Sequence, residues 1–362
     1  MKKILFVLPN LGGGGAERVF VNIANGFFAN GIETELLLGK KAGVYFDILN
    51  PGIPVHELGT NSFSGYLKKL PPFLKKNLYS HIFTTSDYIN VSLIIVKKRF
   101  HLTPLIILNQ QYSNPSSTSV RFLKERFLLT VIHRFFTHRA DKIITASEDG
   151  LKWLQQKTTK KLPQALVIHN PVFDDNIFIK ATEEISFPFE TGGKKILLNI
   201  GRLVKQKDQL TLIKAFKALP NAEGYILIIL GVGPEEKLLK NVIRKMQLEQ
   251  NIFLIGFDKN PYRWINNCDL FVLSSVNEGF GNVIVEAMAL GKTTVSTDCP
   301  TGPAEILKSG QFGFLCKVGD PDALAKIIVT AINAPISPAV LVAESWQYSA
   351  KNIIGSFINV LQ

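Results

Sequence analysis

The sequence predicts an α/β protein built from two Rossmann-like domains. Its 362 residues, 46% of them hydrophobic, can fill two ordinary cores. In both halves, short apolar runs lead into glycine-containing turns and then into helical patterns, which is typical of βαβ units and a parallel sheet. Residues 173–195 show no clear period and hold acidic residues, glycines and a proline, so they predict a linker or hinge. We therefore place a first domain at 1–172 and a second at 173–344, with a final helix in 345–362 packing back on the first.

The first half begins with a strand, a glycine loop and a helix. The apolar run 3–9 predicts the strand, and the apolar period of 19–30 predicts the helix. Gly14 and Gly15 lie between them, and their small size permits either close approach of the backbone to a ligand or a tight turn. Further strands of this half are predicted at 34–38, 81–85, 104–108, 141–146 and 165–172.

The second half repeats this pattern. Its apolar runs predict strands at 195–200, 225–230, 252–256, 270–273 and 313–316, and a further strand is predicted at 293–297. The turn after the first of these strands carries Arg202 and Lys207, just before a helix that begins near Gln209. Two cations beside a helix N-terminus suit a diphosphate group. The alternative is ordinary surface charge on a loop.

The stretch 274–291 holds two carboxylates around a helix start. It follows an apolar run with a glycine-rich turn and enters a short helix, for which Asn282 is a suitable N-cap and Gly291 a suitable C′ residue. The helix is apolar except for Glu286, and a buried carboxylate without partners costs several kcal/mol, so Glu286 needs hydrogen-bond donors. Glu278 lies in the turn at the other end. Free N–H groups between the two carboxylates suit an anionic group with polar hydroxyls on either side.

The excess positive charge lies entirely in the first half. Residues 1–170 hold 22 lysines and arginines against 10 aspartates and glutamates, whereas 171–362 hold 19 of each. Basic and bulky apolar residues are interleaved in 66–76, which two prolines break, in 97–100 and in a helix at 119–139. This composition suits the plane of an anionic membrane surface, although a packed amphipathic helix or a solvated basic face is the alternative. The sequence has no recognised nucleic-acid motif, so nucleic acid is not expected as a partner.

The cysteines indicate a reduced protein. Cys268, Cys299 and Cys316 show no paired or metal-ligand spacing, so we interpret them as core or near-core thiols of a cytosolic protein. No segment approaches ~20 uninterrupted apolar residues, so no membrane-spanning helix is predicted.

Five motifs, in order along nearly the whole chain, resemble those of the retaining glycosyltransferases with the GT-B architecture, classified as family four. They are Gly14-Gly15-Ala16-Glu17-Arg18, Asn170-Pro171-Val172, Gly201-Arg202-Leu203 with Lys207-Asp208, Gly231-Val232-Gly233-Pro234, and Glu278 separated by seven residues from Glu286 around Gly279-Phe280-Gly281. Each motif alone is weak, and together they are specific. The stretches 290–292 and 300–305 are similar to members that build bacterial surface polysaccharides, often from a UDP-sugar.

The resemblance implies two domains that face each other across a cleft, with the acceptor in the first and the nucleotide-sugar donor in the second. Arg202 and Lys207 would hold the donor diphosphate and stabilise the leaving group, so no metal is required. Glu278 would bind hydroxyls of the transferred sugar, and Glu286 would bind the ribose hydroxyls. The other donor-binding positions that it implies are Gly14, Gly15, Gly201, Gly233, Leu254, Gly256, Gly279, Phe280, Gly281, Asn282 and Val283. No cofactor is expected.

On the acceptor side, polar residues follow the strand predicted at 104–108. Gln111, Tyr112 and Asn114 would meet an acceptor hydroxyl if this strand end faces the ligand crevice, or they serve only as loop hydrogen-bonding residues. Many members of the family carry a histidine here, whereas residues 110–113 of this chain contain none. We therefore assign no acceptor-side base.

The resulting prediction is a retaining, metal-independent glycosyltransferase. It would move a hexose or N-acetylhexosamine from a nucleotide sugar to a lipid-linked or membrane-borne glycan in bacterial polysaccharide biosynthesis. The resemblance implies that this nucleotide sugar is a UDP-sugar. It would lie in the cytoplasm, peripheral on the inner face of the cytoplasmic membrane. A nucleotide-sugar epimerase of related fold and a non-catalytic sugar-nucleotide binding protein remain alternatives. An NAD-linked dehydrogenase is disfavoured, since no acidic residue is placed suitably after the first glycine loop.

Overall fold

The computed structural model describes residues 2–110, 131, 134–158 and 160–362. The chain forms two compact units, a first unit of Met1–Val172 with Ala350–Gln362, and a second unit of Phe173–Ser349. Each unit is built on one parallel β-sheet with helices between its strands. The predicted α/β class with two parallel-sheet domains is therefore confirmed.

In the part of the first unit that the structure describes, the sheet contains seven parallel strands in the order β3-β2-β1-β4-β5-β6-β7. They are β1 (Lys3–Leu8), β2 (Glu33–Leu38), β3 (Val55–Glu57), β4 (His81–Thr84), β5 (Leu105–Gln110), β6 (Lys142–Thr145) and β7 (Gln164–Val167). The sequence did not predict β3, because a three-residue edge strand is too short to show a hydrophobic period. The strand order reverses beside β1, and open α/β sheets bind ligands at such a point.

Within the described residues, the first unit contains α1 (Gly15–Ala29), α2 (Phe63–Lys76), α3 (Asp87–Phe100) and α4 (Glu148–Lys157), together with a C-terminal helix. Two predictions are corrected here. Helix α1 begins at Gly15 rather than Val19, because its first turn is polar and carries Glu17, a residue type favoured at helix N-termini. Helix α2 is not broken at its prolines: it continues through Pro71 and Pro72, and burial of its apolar face offsets the lost backbone hydrogen bonds.

Side chains of β1 alternate between two cores. Ile4, Phe6 and Leu8 pack with residues of α1, whereas Leu5 and Val7 pack with residues of α2 and α3. Since successive side chains of a strand point to opposite faces, helices cover both faces of this sheet. The β1–α1 junction, which carries the glycine loop, is thereby anchored from both sides.

The chain ends in α13 (Ala350–Asn359), which packs against α1 and confirms the predicted return of the C-terminal helix. Lys2 Nζ donates to the carbonyl of Leu361 at 2.5 Å, and Lys142 Nζ donates to that of Val360 at 2.6 Å. The helix starts at Ala350 rather than near 345, because Ser349 is buried with an extended backbone that interrupts the helix.

The second unit contains six parallel strands in the order β10-β9-β8-β11-β12-β13. They are β8 (Lys195–Ile200), β9 (Tyr225–Leu230), β10 (Ile252–Gly256), β11 (Leu270–Leu273), β12 (Thr294–Thr297) and β13 (Phe314–Cys316). The sequence predicted all six, and strands such as β9 read as continuous apolar runs because they are buried on both faces.

The helices of the second unit are α5 (Asn176–Ala181), α6 (Gln209–Lys217), α7 (Glu236–Lys245), α8 (Pro261–Asn266), α9 (Asn282–Ala289), α10 (Pro303–Ile306), α11 (Pro321–Asn333) and α12 (Pro338–Ser345). The segment predicted as a linker thus contains the helix α5. It packs on α8, and Asn260 Nδ2 donates to the carbonyl of Lys180 at 2.7 Å. No single helix of the described residues is long and apolar enough to cross a membrane, although α11 with Pro338–Tyr348, bent by 110°, passes the same test as a pair.

The buried His81 at the start of β4 predicts a pH dependence of stability. Burial, with Lys2 and Lys142 nearby, lowers the pKa of this imidazole from 6.5 to about 4. The folded state therefore favours the neutral ring. The stabilisation that this preference gives the folded protein is present above pH 6.5 and is lost as the pH falls towards 4. We expect the wild type to lose about 3 kcal/mol more than His81→Gln between pH 7 and pH 4, measured by urea unfolding. Parallel pH profiles of the two proteins would contradict this.

Candidate active site

The loop of residues 201–208 joins β8 to α6 and positions the predicted diphosphate-binding cations. Leu203 is fully buried and anchors the loop, whereas Arg202 is exposed. Asp208 has a left-handed backbone with φ of 45° and caps α6, where its carboxylate accepts hydrogen bonds from the backbone and hydroxyl of Thr211. Lys207 therefore lies directly before a helix N-terminus, as the sequence predicted.

The second part of the site is the turn of residues 274–281, between β11 and α9. The predicted N-cap is wrong by one residue: Gly281 caps α9 with φ of 105°, and Asn282 is the first helical residue. This backbone conformation strongly favours glycine, which explains the shift. Gly291, with φ of 70°, follows the C-cap residue Leu290, and its predicted C′ position is confirmed.

These two loops bring Lys207 and Glu278 into direct contact. Lys207 Nζ lies 2.6 Å from Glu278 Oε1, and the side chains are only 15% and 7% exposed. The sequence assigned each residue to a ligand and did not predict that they pair with each other. A charge pair with so little exposure requires good geometry and further hydrogen bonds to be stable.

Further contacts hold the two loops together. The backbone N–H of Val276 donates to the carbonyl of Gln206 at 2.8 Å, and Gln206 Nε2 donates to the carbonyl of Asn277 at 2.9 Å. Ser274 Oγ donates to the carbonyl of Lys207 at 2.9 Å. The backbones that carry Lys207 and Glu278 are thus fixed relative to each other.

Sequence reasoning missed three hydroxyl residues around Glu278. Ser275 Oγ donates to Glu278 Oε1 at 2.5 Å, and Thr297 Oγ1 at the end of β12 donates to the carbonyl of Ser275 at 2.6 Å. Thr301 Oγ1 donates to the backbone carbonyl of Glu278. The available signal was their position, since all three lie at or just after the carboxyl ends of strands, where parallel sheets present their functional groups.

The other donor-side residues of the second unit lie in or near these loops. Glu286 is buried in α9 at 5% exposure, as predicted. Asn282 and Val283 are half-buried in the first turn of that helix, and Gly279 is half-buried in the preceding turn. Phe280 is buried and packs edge-on against Tyr348 with 5.7 Å between ring centroids, so its side chain serves packing.

A third loop, residues 231–234 after β9, lies beside the loop of 201–208. The N–H of Leu203 donates to the carbonyl of Val232, and the N–H of Glu235 donates to that of Leu203, each at 3.0 Å. Gly231 N–H donates to the carbonyl of Gly256 at 2.7 Å, which joins the end of β10 to the same edge. The structure therefore brings together the loops that carry Gly201 and Gly233 and the predicted base-binding residues Leu254 and Gly256.

Two further groups of predicted residues belong to the first part of the chain and not to the second unit. Gly14 and Gly15 belong to the first unit, where Gly14 is the N-cap of α1 and Gly15 its first residue. Gln111, Tyr112 and Asn114 lie outside the described residues, as does most of the helix predicted at 119–139.

The cysteine prediction agrees with the structure. Cys268, Cys299 and Cys316 are free and buried. Burial raises the pKa of the Cys299 thiol, which lies near Glu278, to about 12, so it is an inert thiol near neutral pH. Within the described residues, no three histidine, cysteine, aspartate or glutamate side chains are arranged to hold a metal ion.

Residues 181–350, nearly the whole second unit, match the family described as Glycosyl transferases group 1. The second unit belongs to this family, and the protein is a glycosyltransferase. Its sequence is 27% identical over 345 residues to the N-acetylgalactosamine-N,N'-diacetylbacillosaminyl-diphospho-undecaprenol 4-alpha-N-acetylgalactosaminyltransferase of Campylobacter jejuni, which covers 92% of this chain and 91% of that enzyme. It is 25% identical over 344 residues to an uncharacterized glycosyltransferase of Haemophilus influenzae, with 92% of each chain covered.

Solved structures agree on the fold. The glycosyltransferase superposes on Anabaena Alr3699/HepE in complex with UDP and glucose with a TM-score of 0.81 at 22% identity, covering 100% of this chain and 99% of that one. The outer core galactosyltransferase WaaB of lipopolysaccharide gives a TM-score of 0.75 at 18% identity, with 99% of each chain covered. The predicted GT-B architecture is confirmed.

Proposed function

We propose that this glycosyltransferase moves a hexose or N-acetylhexosamine from a UDP-sugar to a lipid-linked glycan in bacterial surface polysaccharide biosynthesis, with retention of anomeric configuration. The observation that carries the proposal is the buried pairing of Lys207 with Glu278 beside the N-terminus of α6. This pairing supports the proposal because a cation suited to a leaving diphosphate then lies beside a carboxylate suited to sugar hydroxyls. The Campylobacter relative, whose name specifies a diphospho-undecaprenol acceptor, supports the acceptor class.

In the proposed reaction, the bond between the anomeric carbon and the diphosphate oxygen breaks, and its electron pair goes to that oxygen. Arg202 and Lys207 stabilise the negative charge that develops there, which is where an enzyme of this type gains most of its rate. The acceptor hydroxyl oxygen bonds to the same face of the anomeric carbon, and its proton passes to the departing phosphate oxygen. Because two side-chain cations neutralise the diphosphate, no metal ion is needed.

We propose the remaining donor contacts within the second unit as follows. Glu278 binds hydroxyls of the transferred sugar, and Glu286 binds the ribose hydroxyls. The N–H groups at the start of α9, near Gly281, face negative charge favourably because of the helix dipole. Leu254 and Gly256 contact the base. The complexes of HepE with UDP and with UDP-glucose support uracil as that base.

The proposal is tested by a donor screen followed by a transfer assay on the purified protein. UDP-sugars should raise the melting temperature, because ligand binding stabilises the folded state by mass action, whereas GDP- and ADP-sugars should not. The best donor is then incubated with an undecaprenyl-diphosphate-linked glycan, and NMR of the product should show a retained anomeric configuration. Release of an altered sugar nucleotide without acceptor would instead establish an epimerase, and binding without transfer or hydrolysis a non-catalytic protein.

We also propose that the first unit lies on an anionic membrane surface through α2. Its outward face exposes Lys68, Pro72, Lys75 and Lys76, and Leu78, which follows the helix, is 82% exposed. Such a combination of lysines with an exposed apolar side chain suits the interface of an anionic bilayer. The concentration of the net charge in this half of the sequence points the same way.

Removing the charge of this face should weaken vesicle binding. Each lysine contributes about 1 kcal/mol near an anionic surface, so the triple variant Lys68→Gln, Lys75→Gln, Lys76→Gln should bind phosphatidylserine-containing vesicles roughly a hundredfold more weakly. The matched control replaces Lys214, Lys217 and Lys326 of the second unit, which are also exposed. Binding of the wild type should fall with added salt. Equal losses in both triple variants, or undiminished binding to neutral vesicles at high salt, would contradict the proposal.

A further inference from the structure

We propose that Ser275 is a positioning residue that dedicates one oxygen of Glu278 to the protein and leaves the other for a hydroxyl of the transferred sugar. This inference rests on the proposed function and adds a residue to which neither the motifs nor the relatives assign a role. It starts from the way in which the Glu278 carboxylate is held.

Among the described residues, two side chains contact that carboxylate, and both contact the same oxygen. Ser275 Oγ donates to Oε1 at 2.5 Å, and Lys207 Nζ lies 2.6 Å from the same atom. In the described part of the chain, Oε2 accepts no hydrogen bond. One oxygen is therefore satisfied by the protein, and the other is available to a ligand.

Lysine alone does not fix the plane of a carboxylate. Its ammonium is a point charge on a flexible stem, and the terminal torsion of a glutamate side chain is broad. Ser275, in contrast, is fully buried. Its backbone is fixed because its carbonyl accepts a hydrogen bond from the hydroxyl of the fully buried Thr297 at 2.6 Å. The serine hydroxyl thus supplies a fixed second direction, which sets the orientation of Oε2.

This arrangement predicts an effect confined to the sugar part of the donor. Without the Ser275 hydroxyl, the Glu278 carboxylate can rotate while its Oε1 stays paired with Lys207, and Oε2 loses its alignment with the sugar. The nucleotide and diphosphate contacts involve other residues and are kept. Affinity for UDP should therefore be unaffected, whereas affinity for the intact UDP-sugar should fall.

The test measures the ratio of UDP-sugar affinity to UDP affinity by calorimetry in Ser275→Ala. The probes are UDP and either UDP-N-acetylgalactosamine or UDP-glucose, whichever stabilises the wild type more. The affinity ratio and kcat/KM should both fall ~10- to 100-fold, which is the range expected for a lost hydrogen bond to a charged group. The affinity for UDP should stay within about twofold of the wild type. Ser275→Thr keeps the hydroxyl and should recover most of the ratio. Melting temperatures report whether each variant folds.

The matched control is Ser345→Ala. Ser345 is another fully buried serine of the second unit, and its hydroxyl donates only to the carbonyl of Val342 at 2.7 Å. Its loss should leave the affinity ratio unchanged. A Ser275→Ala protein with the wild-type ratio, or with equal weakening of UDP and UDP-sugar, would overturn the positioning role alone. A wild type that neither binds nor transfers a UDP-sugar would overturn the proposed function as well.

Discussion

Replacing Glu278 with glutamine should lower sugar transfer roughly 10²- to 10³-fold while the protein stays folded. Glutamine keeps the size of the side chain and an oxygen that accepts from Lys207 and Ser275, so the two loops remain joined. What it removes is the negative charge beside the sugar, which the proposed mechanism uses as positive charge develops near the anomeric carbon. Initial rates with the identified donor, together with the melting temperature, measure the two effects separately.

Lys207→Ala should behave differently, because it removes activity and stability together. The Glu278 carboxylate, which is 7% exposed, then loses its cation and keeps only the hydrogen bond from the Ser275 hydroxyl in the part of the chain that the structure describes. Breaking a buried ion pair by deleting one partner costs about 3–5 kcal/mol of unfolding free energy. The double variant Lys207→Met, Glu278→Gln removes both charges and should recover part of that loss without recovering transfer.

The control for this pair is an exposed one in the same unit. Lys195 Nζ lies 2.8 Å from Asp269 Oδ1, with side chains 55% and 32% exposed. Because solvent screens such a pair, Lys195→Ala should cost about 0.2–1 kcal/mol and leave the transfer rate unchanged. Near-full transfer by both Glu278→Gln and Lys207→Ala would refute the catalytic assignment.

Much of the fold was visible in the sequence because it depends on local pattern. Buried parallel strands such as β9 are uninterrupted apolar runs. Glycines and charged residues in the sequence indicate the loops that follow their carboxyl ends. The three-residue strand β3 gave no pattern. The start of α1 was misplaced because a helix needs no apolar residue in its first turn, and Pro71 and Pro72 do not end α2 because its packed face outweighs their local effect.

The site was predictable in its composition and not in its contacts. Arg202, Lys207 and Glu278 stand out as charged residues next to strand ends. The pairing of Lys207 with Glu278, however, joins residues 71 apart in sequence and depends on β8 and β11 being neighbours in the sheet. The position of Ser275 and Thr301 after strand ends was visible in the sequence, whereas only the structure shows that their hydroxyls contact Glu278.

Contacts between the loop after β12 and the turn of Glu278 make Gly302→Ala a third substitution with a large expected effect. Residues 298–302, after β12, pack against the turn that holds Glu278. Gly302 has φ of 96°, and a β-carbon there would lie 1.6 Å from the carbonyl oxygen of Phe280 and 2.8 Å from its Cα atom. Both neighbours are backbone atoms, which cannot turn aside as a side chain would. Alanine must therefore push the Glu278–Phe280 backbone away by more than an ångström.

A displacement of about 1 Å in a catalytic constellation lowers rates roughly 10²-fold, so kcat/KM of Gly302→Ala should fall by at least that factor. Gly310→Ala is the matched control, since Gly310 has a similar φ of 103° but no atom within 4 Å of its β-carbon position. Both variants lose about 1–2 kcal/mol of stability from the left-handed backbone, and only Gly302→Ala moves Glu278. If the two variants transfer sugar equally well, the loop after β12 does not set the position of the carboxylate.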